Sequence, residues 1–205
     1  MALFPLFIEL DGLDILIVGG GRVAGRKAVS LADYGAAIRL VAPEFCPELE
    51  LDPRFRLLRR CFEDSDIDNA GLVIAATSDR ELNRRISLLC RERGIPVNVV
   101  DEPDDCSFIF PALLRRGALS AGVTTGGASP TAAAWARDRL DEALPEGLEE
   151  MLDWLRTVRP QVKGRFPDIG KRSGLFARLF GLCRELGRAP GEEELTAFLE
   201  AEDEQ

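Results

Sequence analysis

The stretch Asp14-Ile-Leu-Ile-Val-Gly-Gly-Gly-Arg-Val-Ala24 decides the fold. Asp14 to Val18 reads as a short buried strand, Gly19 to Gly21 as a turn without side chains, and Val23 to about Tyr34 as a helix stopped by Gly35. Strand, glycine turn and helix in that order suit a dinucleotide pyrophosphate. No side chain blocks the backbone, and the free N–H groups of a helix N-terminus favour negative charge. Gly19-x-Gly21-x-x-Ala24 matches the fingerprint for such a site, with Ala24 at the helix-packing position.

Strands and helices then alternate. Ala37 to Val41 is a second strand, Arg54 to Arg60 a third and Leu72 to Ala76 a fourth. A helix from Arg80 to Arg93, stopped by Gly94 and Pro96, leads to a fifth strand at Ile95 to Val100. Such alternation predicts an α/β fold, a Rossmann-like, doubly wound parallel sheet. The second strand ends at Ala42 without the acidic residue that usually meets the ribose, and Glu44, after Pro43, is the available substitute. Thr77, at the carboxyl end of the fourth strand, faces a cofactor or caps the next helix.

Where the fifth strand stops, Asn98-Val-Val-Asp-Glu-Pro-Asp-Asp-Cys106 places Asp101, Asp104 and Asp105 just beyond a strand's carboxyl end. Open α/β sheets bind ligands there, although the composition also suits a solvated acidic turn. Beyond Pro103 the rhythm changes. Ser107 to Leu114 and Ala118 to Thr124 read as strands joined at Arg115-Arg-Gly117, a hairpin that starts a second sheet or a dimer-forming extension. Thr124-Thr-Gly-Gly-Ala-Ser129 follows, with Ser129 as N-cap and Pro130 as first helical residue. That loop is a plain helix start or a seat for substrate carboxylates. From Leu148 to Glu202 the spacing is helical, with breaks expected at Pro160, at Pro167 to Gly174 and at Pro190-Gly191. The predicted organisation is a nucleotide-binding domain over residues 1–105, a dimerisation and substrate-site region over 106–147, and a small C-terminal helical lobe over 148–205.

Composition sets further bounds. At 205 residues and 46% hydrophobic content, the chain can bury one good core and a small second lobe. No apolar run has membrane-spanning length and no leader pattern opens the chain, so no membrane is expected and a cytoplasmic setting is. The five cysteines lack Cys-x-x-Cys spacing, which argues against a disulfide framework or structural zinc; Cys106 alone lies near the acidic cluster. Histidine is absent, so proton transfer falls to carboxylate, Cys, Lys, Tyr, substrate or water, and no resident metal is expected. A net charge of −9 argues against a nucleic-acid partner. Met151 to Arg188 nevertheless carries an excess of +6, a positive field that could receive an anionic substrate.

Taken together, Phe4-Pro-Leu-Phe7, Val18 to Ala24 with Arg26-Lys27, Ala42-Pro-Glu44, Ala75-Ala-Thr77 with Asp79 and Asn83, Asn98 to Asp101, Phe108 to Pro111 and Thr124 to Pro130 stand in one order. In that order the chain resembles the precorrin-2 dehydrogenase / sirohydrochlorin ferrochelatase family, which also forms the front part of fused siroheme synthases. The likeness covers roughly residues 1–150. It implies NAD as oxidant, with Arg22-Val23 and Pro43-Glu44 at the cofactor, and Asp101 as the catalytic aspartate. It also implies that Thr124, Thr125, Gly126, Gly127 and Ser129 line the tetrapyrrole site, and that the protein is a homodimer. Precorrin-2 would lose a hydride to NAD and a proton to a base, giving sirohydrochlorin. In bifunctional members the same aspartate assists insertion of ferrous ion, a substrate that Asp101 would hold only transiently. Two other readings stay open, a dehydrogenase without chelatase activity and a nucleotide-sensing module that catalyses nothing.

Overall fold

The computed structural model describes residues 3–203. The described residues form two compact units, 4–110 and 111–203, with Leu3 belonging to the second. In the first, β1 (Asp14–Val18), β2 (Ala37–Ala42), β3 (Phe55–Arg59), β4 (Leu72–Ala75) and β5 (Val97–Val99) make one parallel sheet in the order β3-β2-β1-β4-β5. Helices α1 (Arg22–Ala32), α2 (Pro47–Glu50) and α3 (Arg80–Glu92) connect them.

The strands read as unbroken apolar runs because both faces are covered. Along β1, Ile15 and Ile17 join one core cluster with Ala24, Ala28 and Leu31 of α1, while Leu16 and Val18 join a second with Ile86 and Cys90 of α3. That alternation is the two-residue period of a strand, and the helical residues follow the i, i+4, i+7 spacing that gives a helix one buried face. Chain order reverses between β1 and β4, which register Val18 against Ala75. Ligands bind above such a switch point, outside the carboxyl ends of the strands.

The strand expected from Ser107 to Leu114 begins only at Ala112. Ser107 to Pro111 forms no ladder and runs beside β5 on mixed hydrogen bonds. Ser107 N–H donates to the Val97 carbonyl at 2.8 Å, Val97 N–H donates to Ser107 Oγ at 2.8 Å, and Asn98 Nδ2 donates to the Phe108 carbonyl at 3.1 Å. Phe108 and Phe110 pack instead against the first core cluster. Their burial, and the missing N–H of Pro111, outweigh the β propensity of the run.

In the second unit, β6 (Ala112–Arg116) and β7 (Leu119–Val123) are an antiparallel pair. Arg115 and Arg116 belong to β6, so the turn is Gly117-Ala118, with Gly117 at φ +55°. Four helices follow: α4 (Pro130–Ala143), α5 (Leu148–Arg165), α6 (Ile169–Leu186) and α7 (Glu192–Asp203). One expected break does not occur, and another is shorter than expected, since only residues 166–168 separate α5 from α6. Pro160 lies inside α5, where buried Val158 and Val162 hold both half-helices to one core, and Gly170 and Gly174 lie inside α6. Losing one backbone hydrogen bond costs less than abandoning that apolar face.

The basic excess of α5 and α6 meets carboxylates of the same unit. Arg165 pairs with Asp203, Arg178 with Glu202, and Arg188 with Glu194 at 2.8 Å. The six acidic residues from Glu192 to Asp203 offset the whole +6. The field expected to receive an anionic substrate is therefore answered by α7.

Asp66 is the buried carboxylate that ties β3 to the approach to β4. It accepts from Glu63 N–H at 2.9 Å and pairs with Arg60 at 2.5 Å, and these bonds, the guanidinium first, hold its carboxyl below the usual range. A depressed pKa stabilises the fold above the ordinary carboxylate range, and that contribution disappears as pH falls through the folded-state value. Asp66→Asn should cost roughly 1–3 kcal/mol at neutral pH. Urea unfolding should show the gap between the two proteins narrowing below about pH 4.

Candidate functional site

The glycine turn after β1 is held by backbone contacts. Gly19 N–H donates to the Val41 carbonyl at 2.9 Å, and the Gly20 carbonyl accepts from Cys46 N–H at 2.7 Å. Gly19 has φ +131°, and a Cβ there would stand 2.4 Å from the Ala76 carbonyl oxygen; a Cβ on Gly20 would stand 1.9 Å from that of Glu44. Any side chain would push the chains following β1, β2 and β4 apart.

Gly21 is different in kind. It is the N-cap residue of α1, in extended conformation, and no side chain caps the helix. A Cβ on Gly21 would meet nothing within 4 Å. The turn thus combines open space with N–H groups that no side chain of the cap residue satisfies, which is what a pyrophosphate requires. Ala24 is fully buried beneath it, in the packing position. Arg22 and Val23 are exposed at the rim, as are Pro43 and Glu44 beyond β2. The residues present fit a dinucleotide, with Gly19 to Val23 for the phosphates and Glu44 as the acid available to the ribose.

Thr77 turns its polar atoms onto the start of α3. Its hydroxyl lies 2.7 Å from Asn83 Oδ1, its N–H donates to the same oxygen at 3.2 Å, and Asn83 Nδ2 returns a bond to its carbonyl at 3.0 Å. Asp79 is the true N-cap, accepting from Glu81 and Leu82. The buried Asn83 therefore shapes the loop that faces Gly19 across the switch point. Its sequence signal was faint, a polar residue on the inward face of an amphipathic helix.

The acidic edge is built by a second turn. Val100 N–H donates to the Ala75 carbonyl at 3.0 Å, and Asp101 then takes φ +62°, a left-handed conformation uncommon outside glycine that carries its exposed carboxylate past the end of β5. Cys106 fixes the loop from beneath, its Sγ 3.1 Å from Val99 N and 3.2 Å from the Val99 carbonyl. Burial raises the thiol's pKa, so Cys106 is a structural tie and not a thiolate at neutral pH. Asp104 and Asp105 sit in the 3₁₀ turn Pro103–Asp105, where their carbonyls accept from Arg91 and Ser87. Lys27 of α1 also reaches this edge. Its Nζ lies 3.7 Å from the Phe110 ring centroid, and burial, the largest influence on it, lowers its pKa from the ordinary lysine value.

Thr124 to Ser129 belongs to the second unit. Ser129 caps α4 through Ala132 N–H at 3.1 Å, as its sequence suggests. The Thr125 hydroxyl accepts from Ser129 N–H at 3.0 Å, and Thr124 Oγ1 accepts from Gly126 N–H at 3.1 Å. Gly126 and Gly127 take φ +64° and +90°, with open space around both. No group of three His, Cys, Asp or Glu side chains among the described residues could hold a metal ion. A recess of about 320 Å³ lined by Asp14, Arg39 and Arg56 lies at the amino ends of the strands, opposite the sheet edge that carries the glycine turn and Asp101.

Residues 6–112, just over half of the chain, match the model of a family described as "Putative NAD(P)-binding". The chain belongs to this NAD(P)-binding family. It is also 43% identical over 182 residues to a siroheme synthase of Thioalkalivibrio sulfidiphilus, covering 87% of this chain and 37% of that protein. It is 40% identical over 207 residues to the siroheme synthase of Azotobacter vinelandii, covering 98% and 44%. The chain thus spans about 40% of the length of the curated relatives it matches. Among solved structures, one titled "SirC, precorrin-2 dehydrogenase" superposes with TM-score 0.72 at 24% identity, over 99% of this chain and all of that one, and it shares the fold. The likeness to siroheme synthases drawn from the motifs is borne out, and so is the Rossmann-like fold.

Two glycines in this NAD(P)-binding turn should fail in opposite ways. Gly21→Asp should leave the melting temperature nearly unchanged yet abolish NAD binding in calorimetric titration, because the new charge occupies the phosphate's space. Gly20→Ala should lower the melting temperature by several degrees, because its Cβ meets the Glu44 backbone at 1.9 Å.

Proposed function

We propose that the protein oxidises precorrin-2 to sirohydrochlorin, with NAD accepting the hydride and Asp101 accepting the proton. The observation that carries this reading is that one sheet edge holds both the open Gly21 turn and an exposed carboxylate presented by a left-handed residue. Similarity of about 40% to siroheme synthases supports the substrate class. With no histidine in the chain, a carboxylate is the natural base.

The roles follow from position. Gly19, Gly21, Arg22 and Val23 take the pyrophosphate, Pro43 and Glu44 the adenosine ribose, and Thr77, through Asn83, holds the β4 loop against the turn. Thr124, Thr125, Gly126, Gly127 and Ser129 are assigned to substrate carboxylates, a role favoured by the left-handed glycines and the helix N-terminus beside them. Ferrous ion insertion at Asp101 is a second activity of the same carboxylate, supported by the name of the siroheme synthase relatives. Iron is then a substrate. No helix among the described residues is long and apolar enough to cross a membrane, and the five cysteines are free, which fits a reducing cytoplasm.

Replacing Asp101 by Asn should lower turnover of precorrin-2 by at least about 100-fold, the usual scale for a lost general base, with NAD affinity retained. Full turnover in that variant removes the assignment. Metal-dependent change of the sirohydrochlorin spectrum, on adding ferrous ion to the native protein, tests the second activity.

A homodimer is part of the proposal. A two-stranded sheet such as β6–β7 rarely stands alone, and on the adjoining α4 Trp135 is 64% exposed. Sedimentation at micromolar concentration should show a species of twice the 22.5 kDa chain mass. A species at the chain mass alone rejects the dimer.

A further inference from the structure

The ladder between β4 and β5 stops where its register could continue. Bonds in a parallel ladder are evenly spaced, each strand donating at every second residue. Val73 N–H donates to the Pro96 carbonyl at 2.9 Å, and Val100 N–H donates to the Ala75 carbonyl at 3.0 Å. In the register that sets Ala75 against Val99, the next rung would run from Thr77 N–H to the Val100 carbonyl, with Thr77 opposite Asp101. Thr77 N–H donates to Asn83 Oδ1 at 3.2 Å instead. The Thr77 hydroxyl donates to the same oxygen at 2.7 Å, and Asn83 Nδ2 donates to the Thr77 carbonyl at 3.0 Å. One buried amide, 3% exposed, thus meets both main-chain groups of Thr77 as a neighbouring strand would. On the other side Ala76 N–H still pairs with the Val18 carbonyl at 2.8 Å, so the β4 loop stays joined to β1 while it parts from β5.

We infer that Asn83 is a positioning residue for the nicotinamide half of the cofactor: by diverting the Thr77 rung, it keeps the ends of β4 and β5 apart where the ring must lie beside Asp101. The inference rests on the proposed arrangement, with the phosphates at Gly21 and the adenosine ribose at Glu44. That arrangement uses the β2 side of the switch point and leaves the β4 side for the reactive end. Asp101, at φ +62°, turns β5 away at the level where Thr77 turns toward α3, so both chains leave the ladder together. Removing the amide frees Thr77 N–H for the Val100 carbonyl, and a rung closed there narrows the crevice. Asn83 touches neither cofactor nor substrate and acts only through Thr77.

ADP-ribose, which is NAD without its nicotinamide, separates the two halves of the site. In calorimetric titration Asn83→Ala should lose about 10-fold in NAD affinity while its ADP-ribose affinity stays within about twofold of the native value. In turnover with NAD and precorrin-2, kcat should fall about 100-fold with the KM for precorrin-2 unchanged, because a misplaced ring loses its alignment with the substrate. A merely structural role would lower the melting temperature and change both affinities in the same proportion, and that result overturns the inference. Should Asn83→Ala fail to fold, Thr77→Val decides. It keeps the shape of Thr77 and both main-chain groups but removes the hydroxyl bond to Asn83, so NAD affinity alone should fall about threefold, and Thr77→Ser should restore it. Equal change in NAD and ADP-ribose affinity, or no change in either, overturns the inference and leaves the cofactor reading standing. Native protein that binds neither compound removes the cofactor reading itself, and this inference with it.

Discussion

At the carboxyl edge of the five-stranded sheet, three loops meet backbone to backbone. Gly19 lies against the Ala76 carbonyl and Gly20 against that of Glu44, at separations that leave no volume for a methyl group. This closeness sets the direction of α1, whose first turn then opens toward the space above Gly21. It also draws Pro43-Glu44 and Thr77 to the rim of the same opening. The apolar strands below supply the rigidity, since Ile15, Leu16 and Ile17 are fully buried between two layers of helix. Steric exclusion at two glycines, more than any single polar bond, gives the site its shape.

Much of this was legible in the sequence for a physical reason. Buried parallel strands must be apolar on both faces, and helices over them must keep one face apolar, so both periods are imprinted at β1, α1, β4 and α3. The glycine turn was equally plain, because few arrangements other than close backbone approach ask for three glycines after a strand. The site's acid was visible as a position beyond the fifth strand, but its left-handed backbone was not, since Asp enters that region more often than most residues yet usually lies outside it. Lys27 was hidden for a different reason: nothing local marks a lysine as half-buried when the ring that receives it, Phe110, lies 83 positions later in the chain.

The misread segments share a cause. Ser107 to Pro111 has strand composition, but its aromatic residues gain more from the core beside α1 than from a ladder on β5. Pro160 has the local chemistry of a helix breaker, but tertiary burial on both sides of it prevails. The basic excess of α5 and α6 looked like a surface for anions until α7 supplied its counter-charges. In each case a local rule competed with a long-range contact and lost.

The central claim is that this sheet edge performs a hydride transfer and does not merely hold a nucleotide. Its most direct test is the stoichiometry of one reaction: purified native protein, precorrin-2 generated in the cuvette and NAD, with NADH and sirohydrochlorin followed together by absorbance. The account predicts that the two products appear at the same rate and in equal amounts. Tight binding of NAD with no NADH formed above the protein-free control would contradict it.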